Sequence, residues 1–231
     1  MKKNRAQGVS WALALALLLI LPAFSSASSS GGKMSLPSAP AEQMTPEQES
    51  NALYNDGISY RDKAAKLEKE AESENDAKKK EKLLAKAKDR HEDSIKKFDQ
   101  ATKKNPGNYA AWGNLGYAYR KIGNYPASLE AYGKALAIQP NYTPAIEYRA
   151  EAYLALNQLD DVKSVYMMLF NVDRPRANEL AAAIDKWLEK KKADPSGIEP
   201  SKLEEFSKWS EQRKQLASQV SSVLKPKNAR W

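Results

Sequence analysis

Small and aromatic side chains recur at a constant interval through the middle of the chain, equal to the separation of Ser94 and Ser128. Each interval carries a small or β-branched residue, an aromatic residue four positions later, and a small or apolar residue three positions after that. The three series are Ser94, Ser128 and Val162; Phe98, Tyr132 and Tyr166; and Ala101, Ala135 and Leu169. A fixed period of this kind predicts a stack of repeated structural units, each of which buries its apolar face against the next.

Residues 109–142 indicate most clearly where the helices of one unit begin and end. Gly123 accepts the left-handed conformation that closes many helices, and Asn124 is a good residue to cap the next one. Pro126 is tolerated in the first turn of that helix, whereas Pro140 ends it. The pattern therefore predicts two helices joined by a tight turn.

The same unit resembles the tetratricopeptide repeat (TPR). The residues that carry the resemblance are Trp112, Leu115, Gly116, Tyr119, Ser128, Tyr132, Ala135 and Pro140. Residues 143–176 resemble a more divergent copy, with Arg149 where Leu is usual and Leu169 in place of a small residue. The resemblance implies an all-α fold, a short TPR helical-hairpin solenoid whose concave groove is lined by the first helix of each unit.

Residues 49–108 are predicted to form a first unit that carries an insertion. Its two halves match the repeat, but residues 63–90 are extra, contain no Pro or Gly, and are rich in Lys, Glu and Ala, which favour helices. Apolar residues at three- and four-residue spacing predict that both helices continue past the repeat as an extended helical-hairpin arm about 20 Å long. The two series of the predicted seam are Ala64, Leu67 and Ala71, and Leu84, Ala87 and His91. A charged loop without fixed structure is the alternative, because the seam is mostly Ala.

Beyond the third unit, residues 177–231 are predicted to form C-terminal capping helices and a basic tail. Leu180, Ile184, Trp187 and Leu188 share one face of an amphipathic helix, and a second apolar pattern runs from about residue 201 to 223. A repeat stack leaves an apolar face at its end, and these helices are expected to cover it.

The first residues are typical of a secretory signal. Lys2, Lys3 and Arg5 precede a short apolar run from Trp11 to Phe24, and small residues follow it. We expect residues 1–27 to be a removable signal peptide, with an uncleaved anchor as the alternative. Residues 28–48, rich in Ser, Gly and Pro, are expected to be a disordered linker. The predicted location is therefore periplasmic or secreted, with no stable membrane span after cleavage.

The charge and the residue composition argue against several kinds of partner and activity. The net charge of +8 falls to about +5 without the signal, and the charges are interspersed, which argues against a nucleic-acid partner. The chain has no cysteine and a single histidine, His91, within the charged insertion. Without a nucleophile motif or a phosphate loop, we expect no enzyme activity, no catalytic residues, no metal and no cofactor.

The resemblance implies that non-signature residues of each first helix face the groove and bind a partner. These residues are Asn55 and Arg61 in the first unit, Asn114, Tyr117, Arg120 and Lys121 in the second, and Glu147, Tyr148 and Glu151 in the third. Some family members hold a terminal carboxylate with two asparagines and several cations. Asn55 and Asn114 match the asparagines, but the cations are missing, so we do not expect such a clamp.

The predicted function is a non-catalytic scaffold of the bacterial cell envelope. It would bind a peptide segment or another envelope protein in the groove. The alternative is a self-assembling structural protein, a homo-oligomer that associates through the arm or the C-terminal helices.

Overall fold

The computed structural model describes residues 43–224, with side chains as far as residue 220. The predicted signal, most of the predicted linker and the basic tail from residue 225 lie outside this range. Within it the chain forms eight α-helices: α1 Pro46–Ser73, α2 Ala77–Lys104, α3 Tyr109–Lys121, α4 Tyr125–Ile138, α5 Thr143–Ala155, α6 Leu159–Val172, α7 Arg174–Ala193 and α8 Pro200–Leu224. None of these helices is both long and apolar enough to span a bilayer.

Local capping explains where the helices begin. At the start of α1 the Thr45 hydroxyl accepts a hydrogen bond from the backbone N–H of Gln48, whose side chain accepts one from the backbone N–H of Thr45. Because of this reciprocal cap, α1 begins at Pro46, before the predicted end of the linker at residue 48. Asn124 caps α4 as predicted, by accepting a bond from the backbone N–H of Ala127.

The predicted helix ends also appear at equivalent positions of successive units. Gly123 follows α3 with φ of 83°, and Asn157, at the equivalent position of the next unit, follows α5 with φ of 57°. Asn tolerates this left-handed conformation better than most residues. Its side-chain Nδ2 also donates a hydrogen bond of 2.9 Å to the carbonyl of Gly197 in the α7–α8 loop.

The helix pairs α1–α2 and α3–α4 are held by the same close contact. A Cβ atom placed on Gly57 would lie 2.5 Å from the ring of Phe98, and one placed on Gly116 would lie 2.7 Å from the ring of Tyr132. Both rings are fully buried. Gly is therefore required at both positions, because only a bare backbone lets the aromatic ring of the second helix pack against the first.

Helices α1 and α2 have 28 residues each, twice the length of the 14-residue α4, and extend as the predicted arm. The arm, residues 63–90, turns at residues 74–76. Its seam buries Ala64, Ala71 and Ala87, whereas Leu84, predicted for the seam, is 47% exposed. The prediction of a helical arm is confirmed, with a seam made of small residues.

The C-terminal helices pack on the third unit. The largest apolar cluster joins α5 and α6 to Leu180, Ile184 and Leu188 of α7 and to Phe206 of α8. Helix α7 lies beside α5 as α5 lies beside α3. It therefore covers the end of the stack, as predicted, and also continues the row of first helices α1, α3 and α5.

Candidate functional site

The first helices of the units line a cleft of about 420 Å³ on one face of the solenoid. We call it the tyrosine cleft, because four half-buried tyrosines form much of its wall: Tyr54, Tyr117, Tyr142 and Tyr148. Arg61, Asp62 and Ala65 of α1 stand on one side, and Arg176 of α7 on the other. Gly113, Asn114, Pro144 and Ala145 complete its lining.

Gly113 gives the cleft its depth. A Cβ atom at this position would lie 2.6 Å from Cε1 of Tyr142, so only Gly allows the Tyr142 ring to lie directly on α3. The Tyr142 ring also makes an edge-on contact with the Tyr109 ring, and the two centroids lie 5.1 Å apart. Burial raises the pKa of the Tyr142 phenol, which keeps the hydroxyl neutral.

Arg120 forms the centre of the site. Its guanidinium lies 5.2 Å from the ring centroid of Tyr117 and 5.1 Å from that of Tyr148, and it donates a 2.5 Å hydrogen bond to Glu151. The Arg120 side chain is only 13% exposed. Burial alone would lower the pKa of Arg120, but Glu151 together with Tyr132 and Tyr117 outweighs burial and raises it. The two rings and the carboxylate therefore hold a permanent cation in a set position.

Arg61 links α1 to α3 across the cleft. Its Nη1 donates a 2.7 Å hydrogen bond to Oδ1 of Asn114, while Nε and Nη2 donate to Asp62. Asn114 in turn donates from Nδ2 to the carbonyl of Ala110 at 2.9 Å. The Asn114 amide is thus held by the protein itself, in a fixed orientation.

A buried ion pair lies behind the cleft, between α5 and α7. The Glu147 side chain is 4% exposed and accepts a 2.7 Å hydrogen bond from Arg176, which also contacts Glu179 at 2.8 Å. Burial raises the pKa of the Glu147 carboxyl to about 7, although Arg176 opposes this shift. The pair orients the Arg176 guanidinium, which lies 5.8 Å from the Tyr148 ring centroid.

A second polar cluster joins the base of the arm to the cleft. Glu68 contacts Nζ of Lys121 at 2.7 Å and Nε2 of the buried His91 at 3.1 Å. Burial would raise the pKa of Glu68, but these two partners outweigh it and lower the pKa. The His91 ring also meets Tyr117 edge-on, with centroids 6.0 Å apart. The arm is thus in contact with a wall of the cleft.

The structure brings six of the nine predicted residues together. Arg61, Asn114, Tyr117 and Tyr148 line the tyrosine cleft. Arg120 packs against two of its rings and is bonded to Glu151. The other three are placed elsewhere: Asn55, Lys121 and Glu147 do not line it.

Each of the three residues is displaced for a packing reason. Asn55 is exposed on another side of α1 and lines a shallow surface with Ile58 and Lys66, so the two asparagines of the clamp pattern do not share the cleft. Lys121 is directed toward the arm, where Glu68 holds it. Glu147 is turned inward by Arg176 and is too deeply buried for a partner to reach.

Sequence reasoning missed Tyr54, Gly113, Tyr142 and Arg176, which also line the cleft. The period contains a signal for two of them, since Asn108, Tyr142 and Arg176 follow one another at the repeat interval. Asn108 caps α3 and Tyr142 stands immediately before α5, whereas Arg176 lies in the first turn of α7. The residue type changes at each step, so the series is difficult to recognise from type alone.

Comparison with known proteins agrees with the repeat. Residues 83–143 match the family model for the tetratricopeptide repeat. The chain is also 22% identical over 117 residues to the Hsp70-Hsp90 organizing protein 3 of Arabidopsis thaliana. That match spans 50% of this chain but only 21% of the relative.

Two solved structures are also similar. The first TPR domain of human RPAP3 has 17% identity and a TM-score of 0.46, over 64% of this chain and 98% of that chain. The first TPR of Spaghetti (RPAP3), bound to the HSP90 peptide SRMEEVD, has 20% identity and a TM-score of 0.39, over 55% of this chain and 94% of that chain. The predicted fold is confirmed, because the described residues form an all-α solenoid of helical hairpins.

Proposed function

We propose that this chain is a non-catalytic scaffold that binds a peptide segment of a partner protein in the tyrosine cleft. The observation that carries the proposal is the Arg120 guanidinium held between the rings of Tyr117 and Tyr148. Tyr and Arg contribute strongly to protein interfaces because they offer a large contact area together with a polar group. Here these side chains are ordered before a partner arrives, which lowers the entropy cost of binding.

The geometry of the cleft suits an extended segment. Its walls come from α1, α3, α5 and α7, and four tyrosines contribute aromatic rings and hydroxyl groups to its lining. A bound backbone would find hydrogen-bonding groups there, and its apolar side chains would find aromatic rings. His91, the only histidine of the sequence, is buried against Glu68 and Tyr117, in a position that suits a structural role.

Photo-crosslinking tests the proposal. A benzoylphenylalanine is placed at Ala65, an exposed residue that lines the cleft, and in a matched variant at Glu130, an exposed residue of α4 outside it. We expect a discrete adduct with a second protein from Ala65 only. Identical adducts from both positions, or none from Ala65, would contradict cleft binding. Adducts between copies of this chain would favour self-assembly instead.

We further propose that the protein acts in the bacterial cell envelope. The proposal is supported by the charged, apolar and small-residue pattern of residues 1–27, which is typical of a secretory signal. The test is expression of the full chain with a C-terminal tag in a bacterium, followed by fractionation and mass measurement. A periplasmic product that lacks the predicted signal peptide is expected, whereas a full-length product confined to the cytoplasm would contradict export.

A further inference from the structure

A second concavity lies farther along the same row of helices, where the C-terminal ends of α3 and α5 meet α7. We call it the α7 concavity. Its volume is about 490 Å³, within the range of small-ligand sites. Leu154, Ala155, Ala182, Ala183 and Trp187 supply its apolar lining. Nothing in the sequence analysis indicated this surface, because α7 was expected only to cover the end of the stack.

The largest apolar side chain of this lining is held rigidly. Trp187 is half-buried, and its ring meets the ring of Phe206 edge-on with the centroids 5.7 Å apart. Lys191 lies over the same ring, 6.0 Å from its centroid. An immobilised aromatic surface beside small alanines is well suited to receive one bulky apolar side chain, because little side-chain entropy remains to be lost.

The charges around the α7 concavity are unbalanced. Its two carboxylates already have arginine partners, Glu151 with Arg120 and Glu179 with Arg176. Its two lysines, Lys186 and Lys190, are exposed and one helical turn apart. Within residues 43–220 neither ammonium has a carboxylate within 4 Å. Positive charge is therefore left over beside an apolar surface, which favours a ligand that is both apolar and acidic.

The α7 concavity and the tyrosine cleft meet at Arg120. This residue lines the concavity, while the two rings against which it packs line the cleft. One extended segment can therefore contact both sites in succession. The cleft would hold the backbone and one part of the segment, and the α7 concavity would hold the part that follows.

We infer that the α7 concavity is a specificity subsite for an acidic segment of the partner that carries one bulky apolar side chain. This inference rests on the proposed function. The apolar side chain packs on Trp187 and the alanines, and the flanking carboxylates pair with Lys186 and Lys190. A basic or purely polar segment lacks one or both contacts and binds more weakly.

The probe is a short fluorescein-labelled peptide in which one phenylalanine is flanked by glutamates, with binding to the full chain followed by fluorescence polarisation. Two matched peptides replace the glutamates by lysines or the phenylalanine by serine. We expect saturable binding of the first peptide and at least tenfold weaker binding of both others. Equal binding of all three, or no saturable binding of the first, overturns the inference.

The protein variants separate the site from general charge. The double variant Lys186→Glu and Lys190→Glu should bind the acidic peptide at least tenfold more weakly than the wild type. The control, Lys78→Glu with Lys82→Glu, makes the same change of charge at the same spacing on the exposed arm and should stay within about twofold. An equal loss in both variants would mean attraction to net charge and would overturn the inference. If circular dichroism shows that the double Glu variant is unfolded, the Gln pair at the same positions decides.

Crosslinking from Ala65 separates this inference from the proposed function. An adduct from Ala65 that persists in the Lys186→Glu and Lys190→Glu variant, together with unchanged peptide affinity, would overturn the subsite and leave the cleft in place. If no adduct forms from Ala65 in the chain that keeps Lys186 and Lys190, binding in the tyrosine cleft itself is contradicted.

Discussion

The arm and the repeat hairpins are built from the same kind of helix pair but stabilised differently. In the repeat units a fully buried aromatic ring packs on a glycine or an alanine, and charged side chains such as Arg120 and Glu147 are drawn into the interior. In the arm the seam is alanine, and most charged side chains are exposed. The difference shows that helical hairpins can be extended at little cost in sequence complexity, whereas a binding surface requires buried rings and paired charges.

The largest expected effect comes from the aromatic contact. Replacing the fully buried Phe98 with Ala should lower the free energy of unfolding by about 3–5 kcal/mol, because it removes the ring and leaves a cavity against Gly57. Leu84→Ala in the arm, where Leu84 is 47% exposed, should cost less than about 1 kcal/mol. Urea unfolding measures both losses, and equal losses would show that an exposed arm residue contributes as much to stability as a residue of the repeat core.

A second difference concerns buried charge and should appear as pH dependence. The pKa of Glu147 is raised from 4.5 to about 7, so at intermediate pH the folded chain retains a proton that the unfolded chain has released. The protonated Glu147 carboxyl therefore stabilises the folded chain, and this stabilisation is complete below about pH 4.5. It is lost as pH rises through about 7, and the free energy of unfolding then falls by an amount on the order of 3 kcal/mol. Glu147→Gln should therefore reduce the loss of stability between about pH 5 and pH 8.

The matched control for this titration is Glu70→Gln, because Glu70 is an exposed carboxylate of the arm. Thermal unfolding at both pH values should give the same pH dependence for the control and the wild type. A Glu147→Gln chain that loses as much stability as the wild type would show that Glu147 does not titrate in this range.

The Arg120 contact should have an intermediate effect on stability. Arg120→Ala removes the cation from between two rings and leaves Glu151 without its partner, which should cost about 2 kcal/mol. Arg120→Lys keeps the charge but loses the planar stacking, so its free energy of unfolding should fall between those of the wild type and Arg120→Ala. Lys82→Ala on the arm, an exposed lysine, should change stability by less than about 0.5 kcal/mol. If Arg120→Ala unfolds with the same free energy as the wild type, the buried charge at the cleft contributes no more to stability than an exposed charge on the arm.

The smallest effect is expected at the turns. Gly123 has a φ of 83°, so Gly123→Ala forces a side chain into the left-handed region at a cost of about 1 kcal/mol. The arm turn adopts no positive φ, and Asn75→Ala there should change stability by less than about 0.5 kcal/mol. Chemical denaturation of the two variants measures both changes. An unchanged free energy of unfolding for Gly123→Ala would show that the turn relaxes to accept the side chain.

Much of the fold could be read from particular residues. The contact between Gly116 and Tyr132, the cap at Asn124 and the left-handed Gly123 all depend on features of a single unit, and the period repeats them. The arm followed from helix-forming residues without Pro or Gly. The exposed Leu84 could not be predicted, because a seam of small residues allows two helices to pair in more than one rotational setting.

The site was harder to predict, because its walls come from four helices. Arg61 and Tyr117 were both predicted to face the groove, and both line the tyrosine cleft. Arg176, the last residue of the third unit, was missed because it lies on α7. The role of α7 as a continuation of the row depends on its packing against α5. Glu147 occupies a groove position in the repeat but is drawn inward by that same arginine.

The sequence by itself determined the helices, their period and the close contacts within each pair, because caps, glycines and buried rings act over one or two turns of neighbouring chain. Only the tertiary structure decided which charged groups pair, which side of α1 faces the cleft, and how α7 adds the α7 concavity beside it. Those outcomes depend on distances between helices that are far apart in sequence, and such distances are set by packing across the whole row.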